Sequence, residues 1–159
     1  MFANPLTEKL AAFVRGIGIA VRAETLEQPT FFPGVDIQHG AVLIDEARLK
    51  HPADILHEAG HIAVTDPAVR HEFRLAPNGG EEMATLAWSY AAALHLGVPA
   101  DVLFHPEQHN GNSQMLIDNF TSGRYIGLPL LQWFGVTVEP RQAAEHGEKP
   151  FPHMLRWVR

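Results

Sequence analysis

Apolar positions recur every three to four residues in TEKLAAFVR, and this predicts a helix over Thr7 to Arg15 with Thr7 as its cap. GIAV, at Gly18 to Val21, is short and β-branched and predicts a strand. VDIQ and AVLID alternate differently and flank His39-Gly40, which predicts a hairpin with Gly40 in its turn. Helical periodicity returns over Pro52 to Thr65 and stops at Asp66-Pro67, because a residue before proline disfavours helix. A turn at Pro77-Asn78-Gly79-Gly80 releases into EEMATLAWSYAAALHLG, with acidic residues at the start of a second long helix and Gly97 at its end. Beyond it, PADVLFHPEQHNGNSQ reads as a helical turn running into a Gly/Asn loop. MLIDNFTSGRYIGLPLLQWFG reads as a helix and a packed loop, and Glu139 to Arg159 as irregular until MLRWVR. A helix, a small sheet and two long helices in that order make an α+β pattern.

Composition narrows the class only a little. The 159 residues suit one domain with a proper core, and an apolar fraction of 46% is ordinary for a globular chain. A net charge of −6 with scattered Lys and Arg argues against nucleic-acid binding. There is no cysteine, so a bound metal must be held by His and carboxylates, and a reducing cytoplasm is the expected compartment. Glu8, Lys9 and Arg15 interrupt the first apolar stretch, which therefore lacks the order of a signal peptide. No run of about 18 apolar residues predicts a membrane span.

The chemistry concentrates in HEAGH, His57 to His61. Histidines four apart on a helix share a face and can reach one ion, while Glu58 projects beside them. Two neutral nitrogen ligands and a carboxylate next to an activated water are what a zinc hydrolase needs. In that arrangement His57 and His61 are metal ligands and Glu58 is the general base. Gly60 costs the helix about 1 kcal/mol relative to alanine, and it allows another backbone to come close.

A third ligand is needed, with one position left open for water. A metzincin places a histidine six residues after the second, where this chain has Pro67. Asp66 stands in a turn, and His71 lies beyond the helix in a charged stretch, so neither is favoured. Glu81 and Glu82 open the next helix, twenty and twenty-one residues past His61, and an antiparallel packing rich in alanine would carry either one to the ion. Acidic residues in a first helical turn also suit the helix dipole without any metal. For the donor that steadies a developing oxyanion, Tyr125 in SGRYIG and His109 in EQHNGN are the candidates.

HEAGH followed by a helical glutamate resembles the gluzincin branch of the zincin metallopeptidases. The order IDEARLKHPADILHEAGH, then EEMATLAWSYAAAL, is similar to the ImmA/IrrE-type peptidases over residues 17 to 99. That group carries Glu-x-x-Ala-Asn on its second helix, which aligns with Glu81-Glu82-Met83-Ala84-Thr85 when Glu81 is the ligand. Thr85 then stands where the group has an amide or carboxylate that orients the first histidine. The resemblance implies one zincin-like domain over 1–159, holding one Zn2+ on His57, His61 and Glu81. It would hydrolyse a peptide or protein substrate with Glu58 as base; Tyr125 as oxyanion donor, and no nucleic-acid or membrane partner, are expected from the residues themselves. The rival expectation is a zinc-binding module that no longer cleaves and serves regulation or protein interaction. The retained Glu58 speaks against it.

Overall fold

The computed structural model describes residues 1–107, 109 and 111–159; Gln108 and Asn110, inside the predicted Gly/Asn loop, lie outside the described residues. The chain opens with helix α1, Pro5–Gly16, which starts earlier than the apolar period predicts. Asn4, not Thr7, caps it: the Asn4 side chain accepts from the backbone N–H of Leu6 and Thr7, and Pro5 fits the first turn. Thr7 is buried inside the helix instead.

Three strands follow, β1 (Ala20–Ala23), β2 (Val35–Gln38) and β3 (Ala41–Ile44), in the order β1-β3-β2. β1 runs parallel to β3, and β2 runs antiparallel to it. β1 starts two residues later than predicted because Gly18, at φ +94°, belongs to the turn that ends α1. His39 and Gly40 form the predicted hairpin turn, both with positive φ, as a two-residue turn matched to strand twist requires. Every residue of β3 is buried, whereas β2 alternates buried and half-buried positions. β3 is therefore the central strand and β2 an edge.

Helix α2 is Asp54–Val64, and α3 is Gly79–Leu96 with Gly97 closing it in the left-handed conformation. They pack tightly because Gly60 has no side chain. A Cβ there would lie 3.1 Å from both Thr85 Cγ2 and Trp88 Cε3, and 3.3 Å from Ser89 Oγ. The close neighbours are thus α3 side chains rather than another backbone. Ala84, Ala87 and Ala91 keep the same face of α3 shallow, and all are buried.

Four short helices complete the α+β fold: α4 (Ala100–Leu103), α5 (Ser113–Thr121), α6 (Leu128–Trp133) and α7 (Pro140–His146). The last segment is more ordered than its prolines predict. Thr137, before α7, bridges antiparallel to Met154, after it, and the Trp88 indole N–H donates to the Trp157 carbonyl at 2.8 Å. The chain then runs to the C-terminal end of α2. There the Arg159 N–H donates to Ala63 O, its guanidinium to Val64 O, and the Arg70 guanidinium to Ile62 O and Thr65 O. Carbonyls that a helix end would otherwise leave unpaired are satisfied, which anchors the helix carrying HEAGH. Among the described residues, no helix is long and apolar enough to cross a membrane.

Candidate metal centre

His57 and His61, one turn apart on α2, turn their Nε2 atoms toward each other at 3.1 Å. The Glu82 carboxylate on α3 approaches both, 3.5 Å from His61 Nε2 and 3.8 Å from His57 Nε2. Tetrahedral ligands, each about 2.1 Å from a zinc ion, stand roughly 3.4 Å apart. The three separations bracket that value, so the set can hold a divalent cation with little movement.

Glu82, not Glu81, completes the group. Successive helical residues point about 100° apart, so only one of two neighbours can face α2. The Glu81 carboxylate instead accepts from the Asn78 N–H at 3.2 Å, while Asn78 Oδ1 accepts from the Glu81 N–H at 2.8 Å. This reciprocal capping box fixes the start of α3 and turns Glu81 away from the histidines. The alignment expected Glu81 beside the histidines, and the glutamate the structure brings there is Glu82.

Thr85 orients the second histidine rather than the first. Its hydroxyl donates its one proton to the Glu81 carbonyl at 2.8 Å, so toward His61 Nδ1, 3.2 Å away, it can only accept. His61 is then protonated on Nδ1 and presents a bare Nε2 toward Glu82. His57 is steadied by packing, with the Phe32 ring edge-on at 4.9 Å.

The electrostatics favour ligation. Burial drives His61 down to about 4 and His57 well below its ordinary value, the neighbouring His61 and His109 adding to the effect on His57. Both rings are neutral at pH 7, as ligands must be. Burial also raises the Glu82 carboxyl. Glu58 is pushed up to about 8, first by burial and then by the negative charges of Asp36, Asp54 and Glu82. Such a cluster of reluctant carboxylates is relieved by a cation placed among them.

These residues line a cavity of about 600 Å³. Phe31, Phe32 and Ile37 form one side, Leu86, Met115 and Ile126 another, and Asp36 and Arg74 add an ion pair of 2.7 Å. Of the two predicted oxyanion donors, His109 lines the cavity, its ring 6.4 Å from that of His57. Tyr125 does not face it. Its ring sits in an aromatic cluster, 4.7 Å from Phe151 and 6.3 Å from Phe120 and Tyr90, and only its neighbour Ile126 reaches the cavity. Asp66 accepts from the Ala68 N–H in an exposed turn, and His71 faces His39, so neither joins the centre.

Sequence reasoning missed Asp36, Arg74, Asn112 and Met115 as cavity residues; none lies in a motif, and Arg74 comes from a segment without periodicity. It also missed a buried pair one turn before Glu58. His105 Nε2 lies 2.9 Å from Asp54 Oδ1, and the His51 ring stacks on His105 at 3.6 Å. Among the described residues, Asp54 Oδ2 and His105 Nδ1 are buried without a partner. No known protein family, curated protein or solved structure matches the chain.

Proposed function

We propose that the protein is a zinc-dependent hydrolase of amide bonds, a peptidase by chemistry, with Zn2+ held by His57, His61 and Glu82 and Glu58 as general base. The observation that carries this reading is the convergence of three ligand atoms at near-tetrahedral spacing, with a second carboxylate, that of Glu58, lining the same cavity. A zinc ion there would polarise a carbonyl and bring the pKa of a coordinated water to around 7.

The chain's own groups divide the remaining work. Glu58 takes a proton from the attacking water as its oxygen bonds to the carbonyl carbon. When the C–N bond breaks, Glu58 returns that proton to the departing nitrogen, leaving a carboxylic acid and an amine. Burial and the neighbouring carboxylates raise Glu58 to about 8 without a metal, and a cation held beside it would lower it toward the ionised form a base needs. His109, lining the cavity, replaces Tyr125 as the donor available to the developing oxyanion. Retention of Glu58 favours turnover over a zinc-binding module that only recognises a partner.

Glu58→Gln tests the mechanism, because it keeps the shape and removes the base. Zinc content and melting behaviour should match wild type, while hydrolysis in a mixed peptide library read by mass spectrometry falls at least 10²- to 10⁴-fold. A Glu58→Gln protein as active as wild type would end this mechanism.

A further inference from the structure

Strand β2 forms one wall of the cavity and is an edge of the sheet, the place where an extended peptide would ordinarily add as another strand. That edge is already taken by the chain itself. The Val35 N–H donates to Phe32 O at 3.3 Å, and the His39 N–H donates to Phe73 O at 3.3 Å. Between them, the Ile37 carbonyl accepts from the Arg74 guanidinium at 3.1 Å. Arg74 is locked in turn by the Asp36 carboxylate at 2.7 Å, and the Phe73 ring packs on His39 with centroids 5.2 Å apart. Residues 35, 37 and 39 point their backbone groups to the same side of a strand, so these contacts occupy successive positions of the outer edge.

The rest of the cavity offers shape and apolar surface rather than a ladder of hydrogen-bonding groups. Phe32, Leu75, Leu86, Leu116 and Ile126 line it, and about 600 Å³ is ample for one bulky side chain and the groups flanking it.

We propose that this centre takes a compact apolar amide, such as a chain end or a single acylated apolar residue, rather than an extended internal stretch of polypeptide. This rests on the zinc-hydrolase reading above and names the substrate class for that site. The apolar group fills the cavity beside the ion, and the 73–74 segment denies a longer chain the strand pairing that would reward its length.

Hydroxamates, which chelate zinc, test this on the zinc-loaded full chain by calorimetric titration. Leucine hydroxamate should bind at least tenfold tighter than acetohydroxamate. Extending leucine hydroxamate by two apolar residues on either side of the chelating group should add less than threefold. Arg74→Ala, which frees the Ile37 carbonyl, should raise the affinity of the extended probes relative to that of acetohydroxamate measured on the same variant. A gain above threefold on extension in the wild-type protein overturns the inference alone, as does equal binding of leucine hydroxamate and acetohydroxamate. If no hydroxamate binds the zinc-loaded protein, or no zinc loads, the hydrolase reading falls and this inference with it.

Discussion

Thr85 has a single proton to give, and it goes to the Glu81 carbonyl, which leaves the hydroxyl an acceptor for His61. Replacing Thr85 with Val keeps the shape and removes that acceptor, so the His61 tautomer is no longer fixed. Zinc affinity, measured by competition with a chromophoric chelator, should fall 10- to 100-fold, and Thr85→Ser should restore most of it. Unchanged affinity in Thr85→Val would remove Thr85 from the centre. The Asp54–His105 pair makes a separate prediction about pH. Burial raises Asp54 from 3.8 to about 7, so the fold keeps a proton that the unfolded chain releases, and this group's contribution to stability declines as pH rises through that window. Burial lowers His105 from 6.5 to about 4, so the unfolded chain gains a proton that the fold refuses, and this contribution is lost as pH falls from 6.5 to 4. The slopes oppose each other in the wild type. Relative to wild type, Asp54→Asn should make stability rise more steeply with pH, and His105→Gln should make it fall more steeply, since each variant removes one of the opposing contributions. Urea midpoints between pH 4.5 and 7 read both, and changes of slope of the same sign in the two variants, each taken against wild type, would refute the assignment.

Helices α2 and α3 act as one unit, held close where Gly60 faces Thr85 and Trp88. Gly60→Ala is a sharp test because two effects compete. Alanine improves helix propensity by about 1 kcal/mol, but its methyl would sit 3.1 Å from two α3 carbons in a filled core. Overpacking should win, giving a net loss of about 1–2 kcal/mol in urea unfolding together with weaker zinc retention, since Glu82 rides on the displaced helix. A stabilised variant with full zinc would show that the spacing of the helices is not set here. The two long helices were legible in the sequence because each is a long apolar-rich stretch with marked ends, Asp66-Pro67 closing the first, and the Pro77-to-Gly80 turn with its following acidic pair and Gly97 bounding the second. The capping role of Glu81 was legible too, in Asn78-x-x-Glu81, a capping signature that assigns Glu81 to the helix end. Family alignment pointed past it. Helix α7 escaped notice because PRQAAEH is short and flanked by proline and charge, with one buried residue, Ala143, and no apolar period to read.

Across the whole molecule, the centre depends on parts far apart in the chain. The sheet supplies Asp36 and Ile37, an irregular stretch supplies Arg74 and Leu75, and the α5 region supplies Asn112, Met115 and Leu116. The final residues hold the C-terminal end of α2 through Ala63 and Val64. None of this could be read from spacing, since these contacts arise where loops with no period of their own are folded together by the core. The histidine pair was readable because it lies within one helical turn, and the cavity around it was not. The central claim is that His57, His61 and Glu82 hold one zinc ion, and the zinc content of exhaustively dialysed protein tests it most directly. Wild type and Glu81→Ala should each retain about one zinc per chain, whereas Glu82→Ala, His57→Ala and His61→Ala should lose it, because two remaining ligands bind poorly. Full zinc in Glu82→Ala together with loss in Glu81→Ala, or no zinc in the wild type, would contradict it.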